Sequence, residues 1–479
     1  MLMERTTAAL SCYLKDRRTA LIVLLVASLL LAFFRLTYQS IWCDEGSTIH
    51  YSMMSLSDLW ASNDFTPIGY FLVEGSILKT FGISELTVRI LSAISFGLSV
   101  PMIYLLTLKL TDSEHMAGLT ALMLLVSPFV LFYAQDGRPY SIDLLLTLVE
   151  LYLCLEIIRN NDRKDWYKYC LVSALTIYFN YLAILPIVCF FVYLLIAEYR
   201  ENRFKNLLRC LLHWLLFIAI ICVLCSPILY HAIFAVRTVT NMGVWASGLA
   251  ALMDIFEAFF LTDYLMVIAL AAAVVGAIKL FCMLKQKEFR CILFVQLSTL
   301  VILVLLSFKM RMVPRYALFC LPVFLISISG IIGYLEKYDI RKVSLITACA
   351  IVLVSAPFVY NYYTTETKAD YRGLANEMSQ VLEDGDCVIF LPDLDDLVIG
   401  PTRAYYDYTS HNVTYLGADN LQDIQTILGA HAYPHYYLIM SSEPKGHETE
   451  IAEVIDWIET ESSGTLLYTG YCVYLYSLA

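Results

Sequence analysis

The sequence predicts an all-α polytopic membrane domain followed by a small α/β domain outside the membrane, and three observations carry that expectation. Apolar runs of about 20 residues, the length that crosses a bilayer as a helix, recur from Leu21 to Tyr360. The chain is 59% hydrophobic and only 16% charged, with a mean hydropathy of +0.68, which is too apolar for an ordinary soluble globule. From Asn361 to Ala479 the composition turns polar and acidic. The expected domains are therefore residues 1–360 and 361–479, with an outer loop at 37–85 that carries interfacial helices. The net charge of -11, drawn from the acidic tail, says little about nucleic acid, and no basic patch interleaved with aromatics argues for such a partner, so that class is set aside.

The first run is preceded by Lys15, Asp16, Arg17 and Arg18 and followed by Phe34, Arg35 and Leu36, so it reads as an uncleaved anchor rather than a signal peptide. Lysine and arginine favour cytoplasmic loops. They cluster at Lys15–Arg18, at Arg159–Lys168, at Arg200–Arg209, at Lys285–Arg290 and at Lys337–Lys342, which places those loops inside. About eleven spans then fit, over residues 19–36, 86–109, 116–133, 140–158, 168–181, 183–198, 209–230, 263–283, 290–308, 315–334 and 342–360. The N-terminus falls in the cytoplasm and the C-terminal domain outside it. This parity requires the run Tyr169–Tyr199 to cross twice, turning at Asn180 and Tyr181. The short run Pro67–Phe81, which carries Glu74 and Gly75, reads as an interfacial or partly embedded helix.

The tail alternates helical and strand-like stretches. Helices are expected at 370–383, 402–410, 421–428 and 448–459, and strands at 387–391, 413–416, 436–440, 465–468 and 472–476. That alternation favours a small, mostly parallel sheet. It contains no nucleotide-binding glycine motif. Cys222 and Cys225 form the only CxxC spacing and lie in an apolar run, where they act as small hydrophobes. Cys387 and Cys472 could pair. His431 and His435 are separated by Pro434, which breaks the helix that would bring both onto one face.

The charged residues expected at the outer ends of spans form a constellation. Asp44 and Glu45 follow the first span, Asp64 precedes Thr66 and Pro67, Asp136 and Arg138 lie between the third and fourth spans, and Arg315 opens the tenth. Two carboxylates beside hydrocarbon are costly unless they are used or partnered. A carboxylate can take a proton from an acceptor hydroxyl, and an arginine offers paired donors to a phosphate. Carboxylates and guanidiniums together suit transfer from a phosphate-activated donor, whose leaving group departs as a stable anion. A transporter or flippase of lipid-linked sugars would also need outward arginines. Transporters, however, often carry inverted repeats, and no convincing repeat occurs here.

Three blocks carry a family resemblance: Trp42-Cys43-Asp44-Glu45; Thr66-Pro67-Ile68-Gly69-Tyr70 with Phe81-Gly82-Ile83-Ser84-Glu85 and Val88-Arg89-Ile90-Leu91-Ser92; and Phe132-Tyr133-Ala134-Gln135-Asp136-Gly137-Arg138-Pro139-Tyr140-Ser141. In this order they resemble the protein O-mannosyltransferase and lipid A aminoarabinose transferase superfamily, membrane glycosyltransferases of the GT-C fold. The resemblance implies that Asp44 is the catalytic base with Glu45 in support, and Asp64 is a candidate second acid. It implies that Arg138 and Arg315 contact the donor phosphate, with Arg89 as a further candidate. Asp136, Tyr140 and Tyr316 are expected to support them. Many bacterial relatives carry His or Lys before the proline of the second block, where this chain has Thr66. The implied partners are a polyprenyl-phosphate sugar donor, a glycan, lipid or protein acceptor, and membrane lipid, in a bacterial cell membrane. No metal-ligand spacing is present. Enzymes of this class differ in their use of a divalent cation, which stays open.

Overall fold

In the computed structural model the described residues are 17–62, 66–202, 207–228, 231–233, 246–283, 286–335, 338–393, 402, 405–406, 409–442 and 448–478. Along the chain the first helices are α1 (Arg17–Phe33), α2 (Cys43–Met53), α3 (Leu56–Ala61), α4 (Ile68–Phe81), α5 (Glu85–Thr111), α6 (Glu114–Leu125) and α7 (Pro128–Ala134). They are followed by α8 (Tyr140–Asn160), α9 (Arg163–Phe179), α10 (Ile184–Asn202), α11 (Leu207–Cys225), α12 (Leu249–Phe260), α13 (Asp263–Met283) and α14 (Gln286–Leu306). A 3-10 stretch at Pro314–Cys320 leads into α15 (Leu321–Ser329), and α16 (Ile340–Thr364) follows. The tail holds α17 (Tyr371–Val381), β1 (Cys387–Leu391), β2 (Thr414–Gly417), α18 (Leu421–Gly429), β3 (Tyr436–Ser441), α19 (Glu448–Thr460), β4 (Thr465–Gly470) and β5 (Val473–Leu478).

The chain forms two compact units: a membrane unit of Met1–Phe34, Leu56–Val73 and Ile90–Tyr360, and a sheet unit of Arg35–Ser55, Glu74–Arg89 and Asn361–Ala479. The protein is an integral membrane protein. Among the described residues seven helical stretches are long and apolar enough to cross a bilayer, or eight if α6 and α7 make one bent span. Helix occupies every one of the eleven expected runs, but length and composition do not reproduce that number. The helices α1 and α9 have 17 residues each, and α8 carries Asp143, Glu150 and Glu156.

Helix ends in the membrane unit follow local chemistry. Pro128 starts α7 at a position where its missing N–H costs nothing, and the chain bends by 63° between α6 and α7. Asn161 closes α8 in the left-handed region, at φ 49°, and the Asp162 carboxylate accepts the Lys164 N–H at 3.1 Å to cap α9. Helix α9 ends at Phe179, the residue before the expected turn. There Asn180 Oδ1 accepts the Leu182 N–H at 2.9 Å, while Asn180 Nδ2 donates to Asp143 Oδ2 at 2.7 Å. Thr176 donates to Glu150 at 2.9 Å. The buried carboxyl groups of Asp143 and Glu150 thus have partners on α9 or at its C-terminal end, as desolvation demands. Gly276 of α13 lets the backbone of α15 approach closely: a Cβ there would lie 1.8 Å from the Ser327 carbonyl oxygen.

The sheet unit is built on a five-stranded sheet in the order β2-β1-β3-β5-β4. β1 pairs in parallel with β2 and β3, whereas β3–β5 and β4–β5 are antiparallel. The sheet is therefore mixed rather than mostly parallel, because β4 and β5 are joined by a tight turn instead of a crossover helix. Side-chain alternation along β1 sends Val388 and Phe390 into one core, with Tyr371, Leu374 and Met378 of α17. The other core receives Cys387, Ile389 and Leu391, with Ile424 of α18 and Val454 of α19. Cys387 lies in this second core and Cys472 packs against the first, so the two sulfurs are on opposite faces and do not pair. Of the helix expected at 402–410, residues 402, 405 and 406 are helical, and 403–404 and 407–408 lie outside the described residues. His435 Nδ1 lies 2.9 Å from Asp386 Oδ1.

Candidate active site

Within the sheet unit the site grows from the segment before α2. Asp44 and Glu45 occupy the first turn of α2, where the positive end of the helix dipole favours carboxylates. The two differ in burial. Asp44 is half-buried, while Glu45 is fully buried. Arg89, also fully buried, grips Glu45 with both arms of its fork: Nε donates to Oε1 at 2.7 Å and Nη2 to Oε2 at 2.6 Å. Its other N–H groups go to carbonyl oxygens, those of Leu36 at 2.7 Å, Gln39 at 2.9 Å and Ser40 at 2.8 Å. A guanidinium has five N–H donors, and here protein acceptors take all of them. The donors expected to reach a phosphate from Arg89 are thus committed to the loop that carries Asp44.

Lys368 completes this cluster by donating from Nζ to Glu45 Oε1 at 2.8 Å. Burial alone would push the Glu45 carboxyl up, but the charges of Arg89 and Lys368 and their hydrogen bonds overcome it and hold the group down at about 2. Glu74 of α4, a helix of 14 residues and too short to span, is the opposite case. It is fully buried, and neither carboxyl oxygen has a hydrogen-bond partner among the described residues. Burial, with the nearby charge of Glu45, pushes it up to about 8. Glu85 opens α5 and accepts hydrogen bonds from the Tyr405 and Tyr406 hydroxyls at 3.2 Å, and it pairs with Arg372 at 2.9 Å.

Within the membrane unit the second group is the turn between α7 and α8. Gln135 fixes its start, donating from Nε2 to the carbonyls of Ala32 at 2.8 Å and Phe34 at 2.7 Å. The Arg138 N–H donates to the Asp136 carbonyl at 2.8 Å, and the Ser92 hydroxyl donates to the Arg138 carbonyl at 3.0 Å. Asp136, Arg138 and Tyr140 are all buried. Arg138 Nη2 donates to the Thr66 hydroxyl at 3.2 Å, so the threonine of the second block is a neighbour of the arginine. The Arg315 guanidinium lies over the Tyr140 ring at 5.6 Å and the Tyr316 ring at 5.9 Å, and the two rings are 6.4 Å apart. The membrane unit thus holds two groups, Arg138 with Thr66, and Arg315 with the rings of Tyr140 and Tyr316. Asp64 lies outside the described residues.

Sequence reasoning missed Lys368. It stands four residues past the end of α16, where a lysine looks like an ordinary helix flank, and only the fold brings it to Glu45. Among the described residues no group of three or more His, Cys, Asp or Glu side chains is placed to hold a metal ion.

The fold is thus that of a multi-span helical membrane protein with a small α/β unit. Residues 64–231 match the family model described as dolichyl-phosphate-mannose-protein mannosyltransferase, a stretch that holds Thr66, Arg89, Asp136, Arg138 and Tyr140. The crystal structure of ArnT from Cupriavidus metallidurans in the apo state superposes with a TM-score of 0.62 at 13% identity, over 96% of this chain and 98% of that one. The structure of the same ArnT bound to undecaprenyl phosphate gives 0.61 at 14% identity, over 95% and 97%. No curated protein sequence matches the chain significantly. The resemblance read in the sequence blocks is borne out, and the fold is of the ArnT-like GT-C type.

Proposed function

We propose that this protein is an inverting glycosyltransferase that moves a sugar from a polyprenyl-phosphate donor to an acceptor hydroxyl on the outer face of the membrane. The observation that carries this reading is the family match over residues 64–231, which contains the Arg138 turn and its Thr66 contact. Asp44 takes the proton from the acceptor hydroxyl, whose oxygen attacks the anomeric carbon opposite the phosphate. The bond from that carbon to the phosphate oxygen breaks, and the polyprenyl phosphate leaves with the electron pair. Arg138 and Arg315 bind the departing anion, an electrostatic role that grows in the transition state. Tyr140 and Tyr316 set the Arg315 guanidinium. Asp136 supports the Arg138 turn, and Asp64 serves the acceptor as a second acid. Arg89, with its donors committed to Glu45 and to carbonyls, organises the Asp44 loop instead of binding phosphate.

The donor class fits the undecaprenyl phosphate bound by the structural relative ArnT. The acceptor is a glycan, lipid or protein, and the setting is a bacterial cell membrane with the N-terminus in the cytoplasm and the sheet unit outside. The test is Asp44→Asn in membranes supplied with a labelled lipid-linked sugar that the wild type transfers. We expect the rate to fall by roughly 10²- to 10⁴-fold, the range for loss of a general base. Transfer near the wild-type rate removes Asp44 from the mechanism.

A further inference from the structure

We propose that the interior of the membrane unit contains a proton-binding site with its own water, built on Glu150 between α8 and α9, in which Glu150 is a carboxylic acid and not a carboxylate. The inference goes beyond the transfer reaction and does not depend on the reading of Asp44 as the base.

The site begins as a pattern in the sequence. Asp143, Thr147 and Glu150 follow one another along α8 at steps of four and three residues, so they share one face of the helix and cover about 10.5 Å of its axis. Ser173, Thr176 and Asn180 keep steps of three and four along α9 and past its end. Two bonds join the stripes in antiparallel order: Asn180 Nδ2 to Asp143 Oδ2 at 2.7 Å, and Thr176 Oγ1 with Glu150 Oε1 at 2.9 Å. Asp143, Thr147, Glu150, Ser173 and Thr176 are no more than 3% exposed. Apolar side chains would pack two adjacent membrane helices at less cost, and ionisable groups at such depth point to a use.

Hydrogen-bond counting places the proton. The Thr176 hydroxyl lies 2.9 Å from Glu150 Oε1 and 2.8 Å from the Val172 carbonyl oxygen, and it has one hydrogen for the two. If Glu150 is ionised, a buried carboxylate must share that single donor with a carbonyl, which desolvation penalises. If Glu150 carries a proton, its O–H donates to Thr176 Oγ1, Thr176 donates to Val172, and both acceptors are served. Charge counting agrees. The ionisable side chains facing Glu150 are Asp143 and Cys154 of α8, Tyr169 of α9 and Cys291 of α14, and every one of them is an acid. The basic side chains of α8 and α9 stand at the ends joined by Asn161, where Arg159 bonds to Glu288 at 3.2 Å and Lys168 to Asp165 at 2.9 Å. A carboxylate inside a membrane bundle with no cation beside it is the costly case, and a bound proton removes that cost.

Three further atoms call for water. Asp143 Oδ1, Thr147 Oγ1 and Ser173 Oγ are buried and have no hydrogen-bond partner among the described residues. Thr147 does not bond back to the carbonyl four residues earlier, as Thr176 does. Thr147 precedes Glu150 by one turn, Ser173 precedes Thr176 by one turn, and Asp143 stands one turn before Thr147. Interior water joins polar atoms of this kind, and water among them gives the proton a route to Glu150. Among the described residues no group of three His, Cys, Asp or Glu side chains is placed for a metal ion, so the ligands are water and the proton.

The test is infrared difference spectroscopy of the full chain in lipid nanodiscs at neutral pH, since a carboxylic acid and a carboxylate absorb in separate bands. Wild type minus Glu150→Gln should show the carbonyl band of one acid. Glu74, protonated under the same conditions, is present in both proteins and cancels. In D2O the Glu150 band should shift while the amides of α8 are still protected from exchange. A carboxylate band in place of the acid band overturns the proposal. An acid band in choline chloride that gives way to a carboxylate band in sodium chloride assigns the site to an alkali cation and overturns it as well. An acid band that stays unshifted until the helix amides exchange overturns the water. Should Glu150→Gln not fold, Glu150→Asp should move the acid band, and a band left unmoved overturns the assignment to Glu150. None of these readouts uses sugar transfer, so they stand whatever Asp44→Asn does to the rate.

Discussion

Arg89 and Glu45 form a pair in which a single guanidinium meets five oxygens, and the consequences of losing it can be stated at that scale. Lysine keeps the charge at position 89 but not the fork. In Arg89→Lys the carbonyls of Leu36, Gln39 and Ser40 lose donors around a fully buried side chain, and Glu45 loses its two-point partner. Breaking one member of a buried pair costs about 3–5 kcal/mol. Arg89→Lys should therefore lower the free energy of unfolding by an amount in that range, and an unchanged value would show that the pair does not hold the loop. The pH dependence has a definite sign. Glu45 in the folded protein is held at about 2, below its ordinary 4.5, so its stabilisation is complete above about pH 4.5 and is lost as pH falls through 2. The loss amounts to roughly 3 kcal/mol, and Glu45→Gln should abolish that part of the acid dependence. Glu74 works in reverse: raised to about 8, it weakens the fold progressively as pH rises from 4.5 to 8. Glu74→Gln should be more stable than wild type at pH 8 and no more stable at pH 4, as read by thermal unfolding at both values.

Elements were the most legible level, and the reasons differ between them. Period and length located the apolar helices, and the charge-parity argument placed a break at Asn180 that the structure has, with Asn180 capping the next turn and bonding to Asp143. The count of spans was less legible, since Asp143, Glu150 and Glu156 give α8 the composition of a surface helix although Thr176 of α9 and Asn180 just past its end bond to two of them. Strand positions were read from short apolar runs, but strand direction was not, because β4–β5 pairing depends on the tight turn at Tyr471 and Cys472. Close helix contact makes a prediction at this scale. A side chain at Gly276 meets the Ser327 carbonyl of α15 at 1.8 Å, a backbone atom that cannot rotate away. Gly276→Val should force α13 and α15 apart and cost about 1–3 kcal/mol, the range for overpacking. Gly118, whose added Cβ meets nothing within 4 Å, provides the control: Gly118→Ala should leave the free energy of unfolding within about 0.5 kcal/mol of wild type.

At the scale of the whole molecule, the composition shift after residue 360 marked the start of the sheet-forming tail but not the extent of the unit that tail belongs to. The sheet unit also takes in Arg35–Ser55 and Glu74–Arg89, because Lys368, Ala369 and Tyr371 pack on or bond to residues more than 300 positions earlier. No period or motif announces such contacts. Asp44 and Glu45 could be picked out as costly carboxylates from the sequence, yet which one is buried depends on Arg89 and Lys368 arriving from distant segments. This composite construction predicts the behaviour of the tail expressed alone as residues 361–479. Its two cores on either face of the sheet are made almost wholly of its own residues, so amides of β1 and β3 should stay protected from hydrogen exchange in the fragment. Residues 365–372 depend on partners outside it: Gln39 accepts the Thr367 amide at 3.0 Å, and Glu45 neutralises Lys368. Exchange at Thr367 and Lys368 should therefore be at least 100-fold faster in the fragment than in the full chain, equivalent to losing about 2.7 kcal/mol of local protection. Equal protection of these amides in both would mean that the tail holds the segment by itself and that the early segments merely rest against it.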